Sequence, residues 1–164
     1  MIRYRILACC RLLFVPALFV VAFSGCYPKP IGPPGPTGQS LTWAEMNIDQ
    51  KKAHMRTAVL PKAAALFREW RPAKYANVDC LLCHGSGVYT GNYHMPTDQL
   101  PRLSGDWLLG PEREKYPDTT QLKLDRLVPE ISTALGVKPF SLITRRGFGC
   151  YSCHLGPDGP MFGN

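Results

Sequence analysis

Apolar residues recur at intervals of three and four in the first half of the chain, which is typical of one face of an α-helix. The stripe consists of Met55, Val59, Ala63, Leu66, Phe67 and Trp70. Thr42 and Glu45 form a capping-box pattern that predicts a helix start at Thr42. Pro61 predicts a kink or a restart within this helix, and the pattern ends at Arg71-Pro72.

A second helical stripe lies in the C-terminal half and is formed by Leu124, Leu127, Val128, Ile131 and Leu135. Asp118 followed by Gln121 marks its start, and Gly136 marks its end. Residues 85–117 show no sustained period, which predicts a long irregular loop of a functional kind. Together the patterns predict a mostly α fold.

The two halves are similar in the order of their parts. Pro61 precedes Cys80 by nineteen residues, and Pro129 precedes Cys150 by twenty-one. We therefore expect one domain, 42–164, with two helix–loop units at about 42–95 and 118–164.

The N-terminus has the pattern of a secretory signal. An apolar run from Leu12 to Phe23 follows three arginines and is too short for a stable transmembrane helix. The sequence Ser24-Gly25-Cys26 resembles the cleavage box of bacterial lipoproteins, although Phe23 stands where leucine is usual. The pattern predicts a signal peptide over 1–25 and lipidation of Cys26. The alternative is an ordinary signal peptide with an unmodified cysteine.

Residues 26–41 are rich in proline and glycine, which predicts an extended tether with a reach of about 45 Å. We expect the protein on the periplasmic side of a bacterial membrane. Tyr27, where inner-membrane sorting would use aspartate, slightly favours the outer membrane. Removal of the three signal arginines lowers the formal charge from +7 to +4, which is too weak and dispersed to indicate nucleic-acid binding.

The chain contains two copies of a CxxCH motif, at 80–84 and at 150–154. CxxCH is the signature of covalent haem attachment. Its two thiols bond to the two vinyl groups of one haem, and the adjacent imidazole ligates the iron. The sequence thus predicts two covalent haem c groups. The predicted attachment residues are Cys80, Cys83, Cys150 and Cys153, and the predicted iron ligands are His84 and His154.

Two other chemistries use paired cysteines. A structural zinc site usually has more closely spaced pairs than the 66 residues between Cys83 and Cys150, and it would need neither histidine. A thiol redox motif is expected near alternating strands and helices, and the sequence lacks that alternation.

The lipoprotein signal, the Met-bearing helix and the repeated CxxCH resemble multihaem c-type cytochromes. The similarity covers about residues 43–156 and is greatest to the repeated unit of the photosynthetic reaction-centre cytochrome subunit and to small dihaem lipoprotein cytochromes. It implies that Met55, six residues before Pro61, is the sixth ligand of the Cys80/Cys83 haem. The alternative is a methionine that fills the core.

The second unit departs from that pattern, because Lys123 stands six residues before Pro129 and the helix from Thr119 to Leu135 has neither Met nor His. Its haem takes a ligand from elsewhere or keeps an open iron. The candidates are Met95, Met161, His94 and His54. We favour Met95, because Pro96 stiffens the loop that carries it, and we expect the two histidines to be solvent-facing polar residues.

The resemblance implies an electron-transfer protein that passes single electrons between membrane-bound or soluble redox proteins, in a respiratory or photosynthetic chain. We expect a carrier rather than an enzyme. Two alternatives remain, namely a haem subunit of an oxidoreductase with one open iron, and a zinc-stabilised surface lipoprotein.

Overall fold

A computed structural model describes residues 26–161, so the predicted signal peptide lies outside the described residues. The fold is mostly helical, as the sequence predicts, and between residues 26 and 161 extended pairing is limited to isolated bridges. Within the same range, no helix combines the length and apolar character needed to cross a membrane.

The first unit is built on one helical run. Helix α1 spans Ile48–His54, a π-helical segment spans Met55–Val59, and helix α2 spans Leu60–Trp70. The predicted start at Thr42 is wrong. The Thr42–Glu45 hydrogen bonds form only a turn, because a capping box between Asn47 and Gln50 starts the helix five residues later.

The second unit repeats this design. Helix α5 spans Pro117–Leu122, a second π segment spans Lys123–Leu127, and helix α6 spans Val128–Ala134. A proline in a helix clashes with the carbonyl four residues earlier. In both units the residue before the proline donates its N–H to the carbonyl five residues back. Leu60 donates to Met55 and Val128 donates to Lys123. The resulting π turn accommodates the proline, and the helix continues.

The stretch between the units is more regular than expected. The first CxxCH motif forms the short helix α3, Leu81–His84, which continues into a 3₁₀ helix over Gly85–Thr90. A further helix, α4, spans Gly110–Lys115. The expectation of an entirely irregular 85–117 loop is therefore wrong. Short helices without a repeating apolar face leave no periodic signal in the sequence.

The two helical runs pack antiparallel. His54 Nε2 lies 2.8 Å from the Ala134 carbonyl oxygen at one end of the pair. Exposed ion pairs follow along the runs, Lys62 with Glu130 at 3.7 Å and Arg126 with Glu69 at 3.3 Å. The core between them contains Val59, Ala134 and Leu135, with Trp43, Met55, Ile131, Val137 and Phe148 packed around it.

The Pro/Gly-rich segment 26–41 is not an extended tether. Lys29 donates its backbone N–H to the Gly136 carbonyl at 2.7 Å, directly after α6. Two successive amides, of Ile31 and Gly32, donate to the Leu41 carbonyl at 3.1 and 2.8 Å. The segment therefore folds back on the helices from its fourth residue onward, because its backbone groups find partners that composition alone does not reveal.

Candidate functional site

The first CxxCH motif lies on α3. His84 is the last residue of this helix, and its ring meets the Tyr93 ring edge-on with centroids 5.4 Å apart. Gly85 follows with a φ of 59°, and a Cβ at this position would lie 2.4 Å from Cβ of Gln99. Only glycine thus allows the chain to turn away directly after the histidine while the 92–101 stretch packs beside it.

The second motif forms a 3₁₀ turn over Cys150–Ser152. The Thr97 N–H donates to the Cys153 carbonyl at 3.2 Å, and His154 Nδ1 lies 2.8 Å from the Pro101 carbonyl oxygen. A carbonyl can only accept, so this contact requires the proton on Nδ1 and leaves Nε2 with a free lone pair. Metal-binding histidines are commonly oriented by such a bond.

The two histidines differ in the hydrogen bonding of their Nδ1 atoms. Nδ1 of His84 is buried and has no hydrogen-bond partner among residues 26–161. Desolvation lowers the pKa of both imidazoles, and at His154 the bond to Pro101 partly offsets that effect. Both rings therefore favour the neutral form, which is the form that ligates iron.

The fold brings the two motifs together although they are distant in sequence. The pKa of the Cys153 thiol is raised to about 12, mainly by burial and to a smaller extent by the neighbouring thiols of Cys83 and Cys150. Burial is also the main cause of the raised pKa values of Cys83 and Cys150. The positive charge of Lys123 acts on all three thiols in the opposite direction.

The state of the motif cysteines is relevant to the two alternative chemistries, a thiol redox pair and a zinc site. All four motif cysteines are free thiols. Redox-active cysteine pairs have lowered pKa values, whereas burial raises those of Cys83, Cys150 and Cys153. A zinc site needs three or more ligands around one point, and no group of three His, Cys, Asp or Glu side chains in the described part of the chain is arranged in that way.

A cavity of about 320 Å³ lies beside Cys150. Its lining includes Leu124 and Val128 of the second helical run and the motif residues Cys150 and Tyr151. The remaining lining is largely apolar, with one basic group, and includes Trp107, Leu109, Arg113, Phe140 and Met161. An apolar cavity with a tethering thiol and a single cation fits a flat apolar macrocycle that carries acidic side chains.

The predicted sixth ligands are spread over the molecule. Met55 is half-buried and packs against the Val59 core, which is the environment of the core-methionine alternative. Met95 lies two residues before Thr97, the residue that donates its N–H to the Cys153 carbonyl. Met161 lines the cavity. His54 is held by the Ala134 carbonyl, and His94 is exposed.

Sequence reasoning missed several residues that orient the motifs, namely Tyr93, Thr97 and Pro101. No periodic pattern marks them, and Thr97 and Pro101 contact the second motif across more than fifty residues. Lys123 was visible in the sequence as the counterpart of Met55, but the effect of its charge on the motif thiols required the fold. Cys26, the predicted lipidation site, is exposed.

The described chain thus belongs to the mostly α class, with two similar helical runs and two adjoining CxxCH motifs. Comparison with protein-family models, curated proteins and solved structures gave no match for this chain.

Proposed function

We propose that this protein is an electron-transfer protein with two covalent haem c groups, anchored by lipid on Cys26 to the periplasmic side of a bacterial membrane, with the outer membrane slightly favoured. The observation that carries the proposal is the pair of CxxCH motifs. Each offers two free thiols and an adjacent histidine, and the fold sets the two motifs side by side.

Haem supplies reversible one-electron chemistry at iron when it is bound. Cys80 and Cys83 would hold one haem, and Cys150 and Cys153 the other, through thioether bonds. His84 and His154 would ligate the irons. The Pro101 carbonyl fixes the His154 ring with Nε2 free, and largely apolar side chains line the cavity beside Cys150.

Met55 is the proposed sixth ligand of the first haem, and its place in the core would have to open toward that haem. Six-coordinate irons leave no position for a substrate, which suits a carrier that exchanges electrons with protein partners. The alternative is a haem subunit of an oxidoreductase. The cavity beside Cys150 favours it, since it would give a small substrate room next to an open iron.

A pyridine haemochrome assay on the purified mature protein tests the proposal. We expect two haems per chain, with colour retained on a denaturing gel after acid–acetone extraction. A colourless protein would overturn the assignment. Mass spectrometry of the N-terminus tests the anchor separately, because an unmodified Cys26 would remove the lipid without affecting the haem count.

A further inference from the structure

The loop formed by residues 138–148 connects the second helical run to the second CxxCH motif, and its own backbone orders it. At its base the Phe148 N–H donates to the Lys138 carbonyl at 2.8 Å. Nearer the tip, the Ser141 N–H donates to the Arg146 carbonyl at 2.9 Å. The side chains at the tip are therefore presented by a closed loop that needs little further ordering to make a contact.

The tip of the loop exposes two neighbouring apolar side chains, Leu142 at 56% and Ile143 at 94%. Leu108, which lines the same cavity as Leu142, is 53% exposed, so the apolar surface extends beyond the loop. Single exposed apolar side chains are ordinary on a protein surface, whereas a contiguous group marks a contact with something apolar. The tip is therefore a candidate contact surface.

The charged residues of the loop are all basic. Lys138, Arg145 and Arg146 are exposed, and the loop contains no acidic side chain. Within the described part of the chain, none of the three forms an ion pair. The Arg145 guanidinium instead lies over the Trp107 ring, 5.0 Å from its centroid. Apolar side chains beside unpaired cations complement a phase that is apolar inside and negatively charged at its surface.

The loop begins close to the segment that leads to Cys26. The Lys29 N–H donates to the Gly136 carbonyl at 2.7 Å, and Cys26 lies three residues before Lys29. Ile143 lies seven residues after Gly136. Seven residues span at most about 25 Å. A bilayer that holds an acyl chain on Cys26 is therefore within reach of the tip.

The size of the tip favours a bilayer over a protein as its counterpart. A stable protein interface buries roughly 800 Å² on each partner. Two side chains at the end of a loop offer only a small part of that area. Insertion into a bilayer interface needs no matching surface, since the apolar side chains only have to leave water.

We propose that the 138–148 loop is a second membrane contact, which binds a bilayer containing anionic phospholipid. Leu142 and Ile143 enter the region between headgroups and acyl chains. Arg145 and Arg146 contact the phosphate groups through charge-assisted hydrogen bonds. The inference rests on the proposed membrane location and goes beyond the lipid anchor, because one acylated residue leaves the protein free to rotate and a second contact fixes its orientation.

Vesicle binding by a protein without the acyl chain tests the proposal. The mature chain 26–164 with Cys26→Ser, purified as the holoprotein, is sedimented with vesicles of equimolar phosphatidylcholine and phosphatidylglycerol, and with vesicles of phosphatidylcholine alone. We expect binding to the anionic vesicles that weakens with added salt, and much weaker binding to the neutral ones. Absence of binding to the anionic vesicles would overturn the inference.

Substitution of Ile143 tests the apolar contact, because this side chain lies outside the cavity and its loss should leave the fold intact. We expect Ile143→Asp to lower the vesicle partition coefficient about tenfold or more, and Ile143→Leu to retain it. Ile48→Asp is the matched control, since Ile48 is 58% exposed on α1 and the change in charge is the same. An equal loss in both aspartate variants would mean that binding follows net charge alone, which would overturn the inference.

Substitution of Arg146 tests the contact with phosphate. We expect Arg146→Gln to weaken binding to anionic vesicles about fivefold and to leave binding to neutral vesicles unchanged. Arg56→Gln, at an exposed arginine of the first π segment, is the control and should have a smaller effect. Equal effects of the two variants would contradict a specific contact of the loop with lipid.

Two further results would assign the tip to a different counterpart. Binding of Ile143→Asp equal to that of the parent would leave the tip to a protein partner. An oligomer that forms without vesicles and dissociates in Ile143→Asp, measured by sedimentation equilibrium, would assign it to a second copy of the chain. The haem count and the N-terminal mass test the proposed function separately, since vesicle binding depends on neither haem chemistry nor acylation.

Discussion

The two helix–motif units use one backbone design for two different surroundings. Both continue through a proline by means of a π turn, and both end before a CxxCH motif. In the first unit, Met55 at the start of the π segment packs in the core, and Nδ1 of His84 has no partner among the described residues. In the second, the charge of Lys123 at the corresponding position lowers the pKa values of the motif thiols, and His154 is hydrogen-bonded to Pro101. The backbone is repeated, whereas the chemistry at corresponding positions has diverged.

Removing the thiol pairs breaks this comparison most strongly. We expect Cys80→Ala with Cys83→Ala, and likewise Cys150→Ala with Cys153→Ala, to lower the haem count from two to one. The second pair should also cause the larger loss of thermal stability, because the cavity beside Cys150 would lose its occupant. Pyridine haemochrome and thermal unfolding measure both effects. Cys26→Ser is the matched control and should keep two haems; an unchanged count in either double variant would contradict the attachment sites.

Core truncation tests whether both units support the fold equally. Phe67 and Leu135 each stand six residues after their proline and are 5% and 7% exposed. We expect Phe67→Ala to cost about 3–5 kcal/mol and Leu135→Ala about 2–5 kcal/mol of unfolding free energy, from lost burial and the cavity created. Denaturant unfolding measures this. Ile143→Ala, at 94% exposure and outside the cavity, is the control and should change little. A negligible loss of unfolding free energy at either position would show that the helical run carrying that residue contributes little to the stability of the core.

Met55→Ala sharpens the difference between the two irons. If Met55 ligates the first haem, the reduced variant should bind one carbon monoxide per chain, whereas the parent protein should bind none. Met46→Ala, at a buried methionine away from the motifs, is the control. Absence of binding in Met55→Ala would support the core-methionine alternative. Stoichiometric binding by the parent would indicate an open iron and favour the oxidoreductase.

The ion pairs between the runs should contribute least. Arg126 and Glu69 lie 3.3 Å apart with side chains 48% and 67% exposed. Exposed pairs of this kind contribute roughly 0.2–1 kcal/mol, since water screens the charges. A double-mutant cycle with Glu69→Gln and Arg126→Gln, followed by urea unfolding, should give a coupling within that range that decreases with added salt. A coupling several times larger would mean that the contact orders the helix pair.

The sequence was sufficient for the features that local physics determines. Apolar spacing predicted the helix that ends at Trp70, and Gly136, with a φ of 63°, ends the second run as predicted. The contacts that assemble the site could not be predicted in this way. The bond from His154 to Pro101 spans 53 residues, and the helix over Gly110–Lys115 has no repeating apolar face. Such features depend on contacts between residues that are distant in sequence.

The bond between Lys29 and Gly136 determines how far the folded body can lie from an acyl chain on Cys26. With Cys26 acylated, three residues separate the lipid from the first backbone contact to the helices, a reach of about 10 Å at full extension. The folded body would lie against the bilayer and diffuse laterally in two dimensions with a restricted orientation. If the protein is the electron carrier proposed above, electron exchange would then favour partners embedded in the same membrane, because both proteins would diffuse in one plane.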